Sequence, residues 1–175
     1  MIKPSELTPH TSAQLALLLG QFFAADELCV VQGDAQVASA FAALPFDHLV
    51  FTGSTAVGRK VAQAAAANLT PTTLGGKSPC IVATDVDMPA AALKIAHGKL
   101  FNAGQTCIAP DYVLLPQGSE AAFVQAYRAA VAQLFPYITG NPDYASLISQ
   151  RHLARLRQML AQSQAQGAQV LSMDS

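Results

Sequence analysis

The sequence predicts an α/β fold built on a parallel sheet. Short apolar, β-branched runs alternate along the chain with longer segments of helical periodicity, which is typical of βαβ units with right-handed connections. The strand candidates are apolar throughout, as expected for strands that helices cover on both faces. With 175 residues, the chain is also long enough to bury a core.

The first part of the chain alternates strands and helices. A strand-like fragment opens it, and Thr8 followed by Pro9 predicts a helix N-cap with proline in the first turn. Glycine and aspartate at residues 33–34 indicate a turn. The predicted elements are a helix from Pro9 to about Phe23, a strand at Leu28–Val31, a helix at Ala35–Leu44, a strand at His48–Phe51 and a helix from Ala56 to about Asn68.

The second part repeats the alternation after a loop-rich junction at residues 72–79. Asp87 is positioned to cap a helix that runs to about Asn102, and Gly104 to take a left-handed conformation at its end. The other predicted elements are strands at Cys80–Ala83, Tyr112–Leu115 and Gln169–Leu171, and helices at about Ser119–Phe135 and Ser149–Gly167.

Composition excludes several classes of protein. The formal net charge of −1, with interspersed charges, gives no sign of a nucleic-acid partner, and the apolar runs are too short to span a membrane. Without a signal peptide, the expected location is the cytoplasm. Charged residues make up only 12% of the chain, about half the usual share, which indicates either extensive burial against partners or a piece of a larger protein. Of the two, we expect an internal fragment of a larger protein.

The three cysteines are widely spaced, so the sequence predicts neither disulfides nor a metal site. Cys29 and Cys80 lie in apolar strand candidates and are expected to belong to the core. Cys107 instead follows a helix end and precedes a strand, where binding and catalytic groups tend to lie.

The strand–glycine–helix segment at residues 51–58 is a candidate phosphate site. Backbone N–H groups at a helix start favour an anion, and glycine permits its close approach. The segment is not G-x-G-x-x-G, and an ordinary capped helix start has the same pattern.

The segment at residues 51–58 is one of four motifs that occur in order along the chain. They are K-P-S-E at residues 3–6, F-T-G-S-T-x-x-G at 51–58, G-G-K-S-P at 75–79 and F-N-x-G-Q-x-C at 101–107. Their order and approximate spacing resemble the aldehyde dehydrogenase superfamily. F-D-H-L-V-F-T-G at 46–53 and N-L-T-P at 68–71 are most similar to its coniferyl aldehyde dehydrogenase branch.

The resemblance implies NAD-dependent oxidation of an aldehyde to an acid, with an aromatic aldehyde as the candidate substrate. Cys107 would be the nucleophile, through a thiohemiacetal and a thioester, and its N–H would form half of an oxyanion hole. NAD, or alternatively NADP, would be the cofactor, and the full-length protein would be a homo-oligomer. The cofactor-binding residues implied are Lys3, Ser5, Glu6, Gly33, Val37, Phe51, Thr52, Gly53, Ser54, Val57, Leu74 and Gly75.

By the same resemblance, residues 1–74 would form the C-terminal half of a Rossmann-like NAD domain, and residues 75–175 the start of the catalytic domain. The chain departs from the family pattern at the junction between them. The family reads T-L-E-L-G-G-K there, whereas this chain reads T-T-L-G-G-K at residues 72–77 and lacks the general-base glutamate. Loss of that base would impair hydrolysis of the thioester by about 10²–10⁴-fold.

Two alternatives follow from the missing glutamate. The chain could be an inactive remnant that serves as a nucleotide-binding or assembly module. It could also remain an enzyme in which a thiol such as coenzyme A removes the acyl group from Cys107.

Overall fold

The computed structural model describes residues 1–173, which divide into two compact units: Met1–Gly76, and a second that begins at Lys77. The division lies two residues after the boundary predicted from the sequence. Within residues 1–173, no helix is long and apolar enough to cross a membrane.

The first unit contains three helices and one two-stranded parallel sheet in the described part of the chain. Strand β1 pairs with β2 in register, so that Phe51 lies opposite Leu74. The elements are α1 (Pro9–Leu19), α2 (Ala35–Ala42), β1 (Leu49–Phe51), α3 (Thr55–Ala66) and β2 (Thr72–Leu74).

The second unit contains another two-stranded parallel sheet, in which β3 pairs with β4. Its small core is buried where helices α4 and α5 meet, at Ala96, Ala130 and Val131. The elements are β3 (Pro79–Ile81), α4 (Met88–Leu100), a 3₁₀ turn (Phe101–Gly104), β4 (Tyr112–Leu114), α5 (Glu120–Leu134) and α6 (Gln150–Ala165).

Four of the six α-helices within residues 1–173 begin after a residue whose side chain accepts a capping hydrogen bond. Asp87 accepts a hydrogen bond from the Ala90 N–H, which confirms the predicted cap of α4. Thr8 precedes Pro9 as predicted but makes no side-chain capping bond. Helix α1 is shorter than predicted, because residues 20–27 form turns.

The strands differ from the prediction more than the helices do. Leu28–Val31 contributes only a single bridge, Ile2 to Val30, and Gln169–Leu171 is not a strand. The junction predicted as a loop contains β2, which the sequence analysis missed. A polar segment such as Thr72–Leu74 becomes a strand only because β1 supplies its hydrogen-bonding partner.

Burial also differs from the prediction. Val50 of β1 is 69% exposed and Ile81 of β3 is 76% exposed, so helices do not cover both faces of these sheets in the chain described. Cys29 and Cys80 are only partly buried and are not core residues. An apolar strand sequence predicts burial under helices, but here the described residues include no helix that covers these side chains.

Candidate active site

The segment before Cys107 adopts an unusual backbone conformation. Helix α4 ends at Leu100, two residues earlier than predicted, and Asn102, Ala103 and Gly104 follow with φ of 50°, 53° and 72°. Gly104 was expected there, but consecutive left-handed residues that are not glycine are strained. Surrounding contacts must therefore stabilise this turn.

The side chain of Gln105 provides one set of these contacts. Its Nε2 donates to the carbonyl oxygens of Asn102 at 3.0 Å and Ser146 at 3.1 Å, and its Oε1 accepts from the Ile148 N–H at 2.9 Å. One amide thus connects the loop that contains Cys107 to the 137–149 loop, which borders a pocket of about 590 Å³. The sequence placed Gln105 in a motif but gave it no role.

A second set of contacts, from Ser78 and Asp111, holds the backbone at Cys107. The Ser78 hydroxyl donates to the carbonyl oxygen of Cys107 at 2.9 Å, and the Ser78 N–H donates to the Asp111 carboxylate at 3.1 Å. Lys77 Nζ lies 3.2 Å from Asp111. The Ser78 N–H, followed by the nearby lysine ammonium groups, holds the pKa of the Asp111 carboxyl below its ordinary value. Neither Ser78 nor Asp111 was singled out from the sequence.

The Cys107 residue itself is exposed, whereas Cys29 and Cys80 are half-buried. Thiol chemistry requires access, so Cys107 is the cysteine whose position suits attack on an external electrophile. No group of three or more His, Cys, Asp or Glu side chains within the described residues is arranged to hold a metal ion.

In the first unit, the structure brings Ser5, Glu6 and Gly33 together. They line a small pocket of about 140 Å³ with Pro4, Pro9, Ser12 and Gln32. Lys3 Nζ donates to Glu6 Oε2 at 3.2 Å beside this pocket. The backbone N–H of Glu6 and then the Lys3 ammonium hold the pKa of the Glu6 carboxyl below its ordinary value, so the carboxylate is an acceptor at neutral pH.

Ser12 supports this pocket from helix α1, and the sequence analysis missed it. The side chain is buried, and its hydroxyl lies 2.8 Å from the Thr8 carbonyl oxygen and 3.1 Å from that of Ser5. Val37 lies against Gly33, because a Cβ added to Gly33 would lie 2.5 Å from the Val37 Cγ2. The sequence signal that could have indicated the role of Ser12 is a serine one turn after the Thr8-Pro9 helix start.

The remaining predicted cofactor residues lie around the β1–α3 turn and the end of β2. Ser54 is the N-cap of α3 and accepts from the Val57 N–H at 3.3 Å. The Phe51 ring covers Gly53, where an added Cβ would lie 2.5 Å from Cζ. Thr52, Leu74 and Gly75 are exposed, and no atom lies within 4 Å of a Cβ added to Gly75.

Comparison of the sequence with known protein families identifies the family of this chain. A model of the aldehyde dehydrogenase family matches residues 1–174. The chain belongs to this family. The resemblance carried by the four motifs is therefore confirmed.

Among curated relatives, a coniferyl aldehyde dehydrogenase of Pseudomonas sp. (strain HR199 / DSM 7063) is 50% identical over 99% of this chain. A probable coniferyl aldehyde dehydrogenase of Pseudomonas aeruginosa is 52% identical over 96% of it. The chain covers 37% and 36% of these relatives, so it spans little more than a third of their length.

Solved structures agree with the fold. A substrate-bound state of Staphylococcus aureus AldH matches with a TM-score of 0.79 and 37% identity, over 94% of this chain and 36% of that one. A Mycobacterium tuberculosis aldehyde dehydrogenase complexed with NAD+ matches with a TM-score of 0.79 and 31% identity, over 97% and 36% respectively. The predicted α/β class is confirmed.

Proposed function

We propose that this chain carries the nucleophile and part of the NAD site of an aldehyde dehydrogenase, and that Cys107 attacks the aldehyde. The observation that carries the proposal is that Cys107, in a chain of this family, is exposed on a loop fixed by Gln105 and Ser78. Coniferyl aldehyde is the proposed substrate, because the relatives at 50% and 52% identity bear that name.

The chemistry at Cys107 has three steps: attack on the aldehyde, loss of hydride, and hydrolysis. The thiolate sulfur bonds to the aldehyde carbon, and the carbonyl oxygen becomes an oxyanion that the Cys107 N–H can stabilise. The carbon then loses hydride and is left as a thioester on the sulfur. NAD, when bound, supplies the hydride acceptor. Water would release the acid and regenerate the thiol.

The residues of the first unit suit the cofactor proposed. The Glu6 carboxylate can accept hydrogen bonds from ribose hydroxyls, and Lys3 is held against it. Gly33 and Gly53 keep open two places that a Cβ could not occupy without displacing Val37 or Phe51. The backbone N–H groups at the start of α3 favour the diphosphate. We propose NAD rather than NADP, because an anionic Glu6 would repel a 2′-phosphate.

Hydrolysis is the step that this chain is least equipped to perform. The segment between β2 and Lys77 is Gly75-Gly76, without the glutamate of the family pattern. Asp111, the carboxylate four residues after Cys107, is hydrogen-bonded to Ser78 and paired with Lys77, which makes it a weak base. We therefore propose that the thioester accumulates.

We also propose a cytoplasmic location for the protein. Its three cysteines are free thiols, which fits a reducing compartment.

A single-turnover assay tests the function. The purified chain is mixed with excess NAD and coniferyl aldehyde, and NADH is followed by absorbance. We expect a burst of about one NADH per chain that is lost in Cys107→Ala and kept in Cys29→Ala. A folded chain that binds NAD but gives no burst would contradict the proposal.

The absence of the glutamate also favours a second candidate, an inactive module that binds nucleotide. In that case, NAD would bind with no NADH formed in any variant. Acyl transfer to coenzyme A is distinguished in the same assay, since turnover would then begin only when coenzyme A is added.

A further inference from the structure

A hydrogen-bond relay connects Asp111 to the backbone of Cys107. The Asp111 carboxylate accepts the Ser78 N–H at 3.1 Å, and the Asp111 N–H donates to the Ser78 carbonyl oxygen at 2.8 Å. The Ser78 hydroxyl in turn donates to the Cys107 carbonyl oxygen at 2.9 Å. Asp111 therefore holds both backbone groups of Ser78, and Ser78 holds Cys107 with its side chain.

Ordered elements fix the Asp111 end of the relay. Asp111 directly precedes β4, and Ser78 directly precedes β3, so their backbone bond continues the ladder of the sheet. Lys77 Nζ lies 3.2 Å from Asp111 Oδ1, and Lys99 Nζ, at the end of α4, lies 4.0 Å from the same atom. The carboxylate thus joins two strands and a helix end.

The loop that the relay holds needs such support. Asn102 and Ala103 take left-handed conformations that side chains disfavour, and this strain persists only where neighbouring contacts determine the backbone. Gln105 fixes the loop before the nucleophile, and Ser78 fixes the peptide group that follows it.

We propose that Ser78 and Asp111 are positioning residues for Cys107. Together they set the orientation of the Cys107–Ile108 peptide and so the direction in which the sulfur is presented. Asp111 acts only through Ser78 and takes no part in the bond changes. This inference deepens the proposed function, on which the catalytic role of Cys107 depends.

Hydrogen exchange of the loop tests the relay without requiring activity. The N–H groups of Gln105 and Ala109 donate within the loop, to Asn102 and Thr106, and so report its opening. In Ser78→Ala we expect both amides to exchange about three- to tenfold faster, the effect of losing one hydrogen bond. Ser78→Thr retains the hydroxyl and should restore protection.

Two further variants separate positioning from general destabilisation. Ser119→Ala is the matched control, because the Ser119 hydroxyl also donates to a backbone carbonyl of this unit, that of Pro116 at 2.6 Å. It should leave Gln105 and Ala109 unchanged. Asp111→Ala should accelerate their exchange in the unsubstituted chain but add little in Ser78→Ala, since both residues belong to one network.

The NADH burst supplies the functional readout. In Ser78→Ala we expect its rate to fall about tenfold or more, because misplacing a reacting group by a fraction of an ångström has effects of this size. Alkylation of the exposed Cys107 by iodoacetamide should change little, because it requires access but not direction. Ser78→Thr should restore the burst.

Unchanged exchange at Gln105 and Ala109 in Ser78→Ala would overturn the inference, as would an equal effect of Ser119→Ala. Absence of a burst from the unsubstituted chain would count against the proposed function alone. The exchange comparison would still decide whether Ser78 and Asp111 hold the loop.

Discussion

The side-chain amide of Gln105 accepts the backbone N–H of Ile148 at 2.9 Å, across 43 residues of sequence. The same amide donates to the Ser146 carbonyl oxygen at 3.1 Å, so one side chain bonds the backbone of this segment at two points. The loop that contains Cys107 is thereby fixed to the loop that precedes α6.

Replacing Gln105 by leucine should loosen both loops. The change removes three hydrogen bonds of the Gln105 side chain, and because the segments are exposed, water will replace part of what is lost. We expect a decrease of about 1–2 kcal/mol in the free energy of unfolding, measured by urea denaturation. Gln158→Leu on the exposed face of α6 is the control and should change the free energy by only a few tenths of a kcal/mol. Equal losses in the two variants would contradict the role of Gln105.

Replacing Gly33 by alanine should distort the pocket beside Glu6. The new Cβ would lie 2.5–2.8 Å from three atoms of Val37, a β-branched side chain with little freedom to move away. We expect a loss of about 1–3 kcal/mol in stability and weaker NAD binding, measured by denaturation and calorimetry. Gly76→Ala is the matched control, because nothing lies within 4 Å of its added Cβ. Tight NAD binding by Gly33→Ala would place the nucleotide elsewhere.

Replacing Glu6 by glutamine should weaken discrimination between the two nicotinamide cofactors. The carboxylate that would repel a 2′-phosphate becomes a neutral amide, so the ratio of the NADP and NAD dissociation constants should fall about tenfold. Since the pKa of Glu6 is lowered from 4.5, the unsubstituted chain should keep its preference at neutral pH and lose it only below pH 4.5. Glu27→Gln, an exposed change of the same charge, should leave the ratio unaltered.

The Asp111 carboxylate should make stability depend on pH in acid. Its pKa is lowered from the ordinary 3.8 in the folded chain, chiefly by the Ser78 N–H, so the unfolded chain binds the proton more readily. The stabilisation is therefore present above pH 3.8 and lost as the pH falls through the lower folded value. Asp111→Asn should show a flatter loss of stability in this range than the unsubstituted chain, when denaturation is followed as a function of pH. Asp143→Asn, which removes the same charge from an exposed loop residue, is the matched control.

Local chemistry explains which features the sequence could predict. Caps such as Asp87 and the left-handed Gly104 depend on neighbours within a few residues, and both were foreseen. The β2 strand and the Ser78 relay depend on partners far along the chain: Ser78 is 29 residues from Cys107 and 33 from Asp111. Motifs named Cys107 as a candidate, but only the structure shows what holds it.

Restoring the two residues absent from the junction should convert a burst into turnover. The family pattern places a glutamate and a leucine between Leu74 and the glycine pair, and an insertion of two residues preserves the alternation of side chains along the strand. With the base restored, hydrolysis of the thioester should accelerate by about 10²–10⁴-fold, measured as steady-state NADH formation after the burst. Insertion of glutamine and leucine is the control, because it restores length without a base. If both insertions gave the same rate, or if the unmodified chain already turned over rapidly, the missing glutamate would not be what limits this protein.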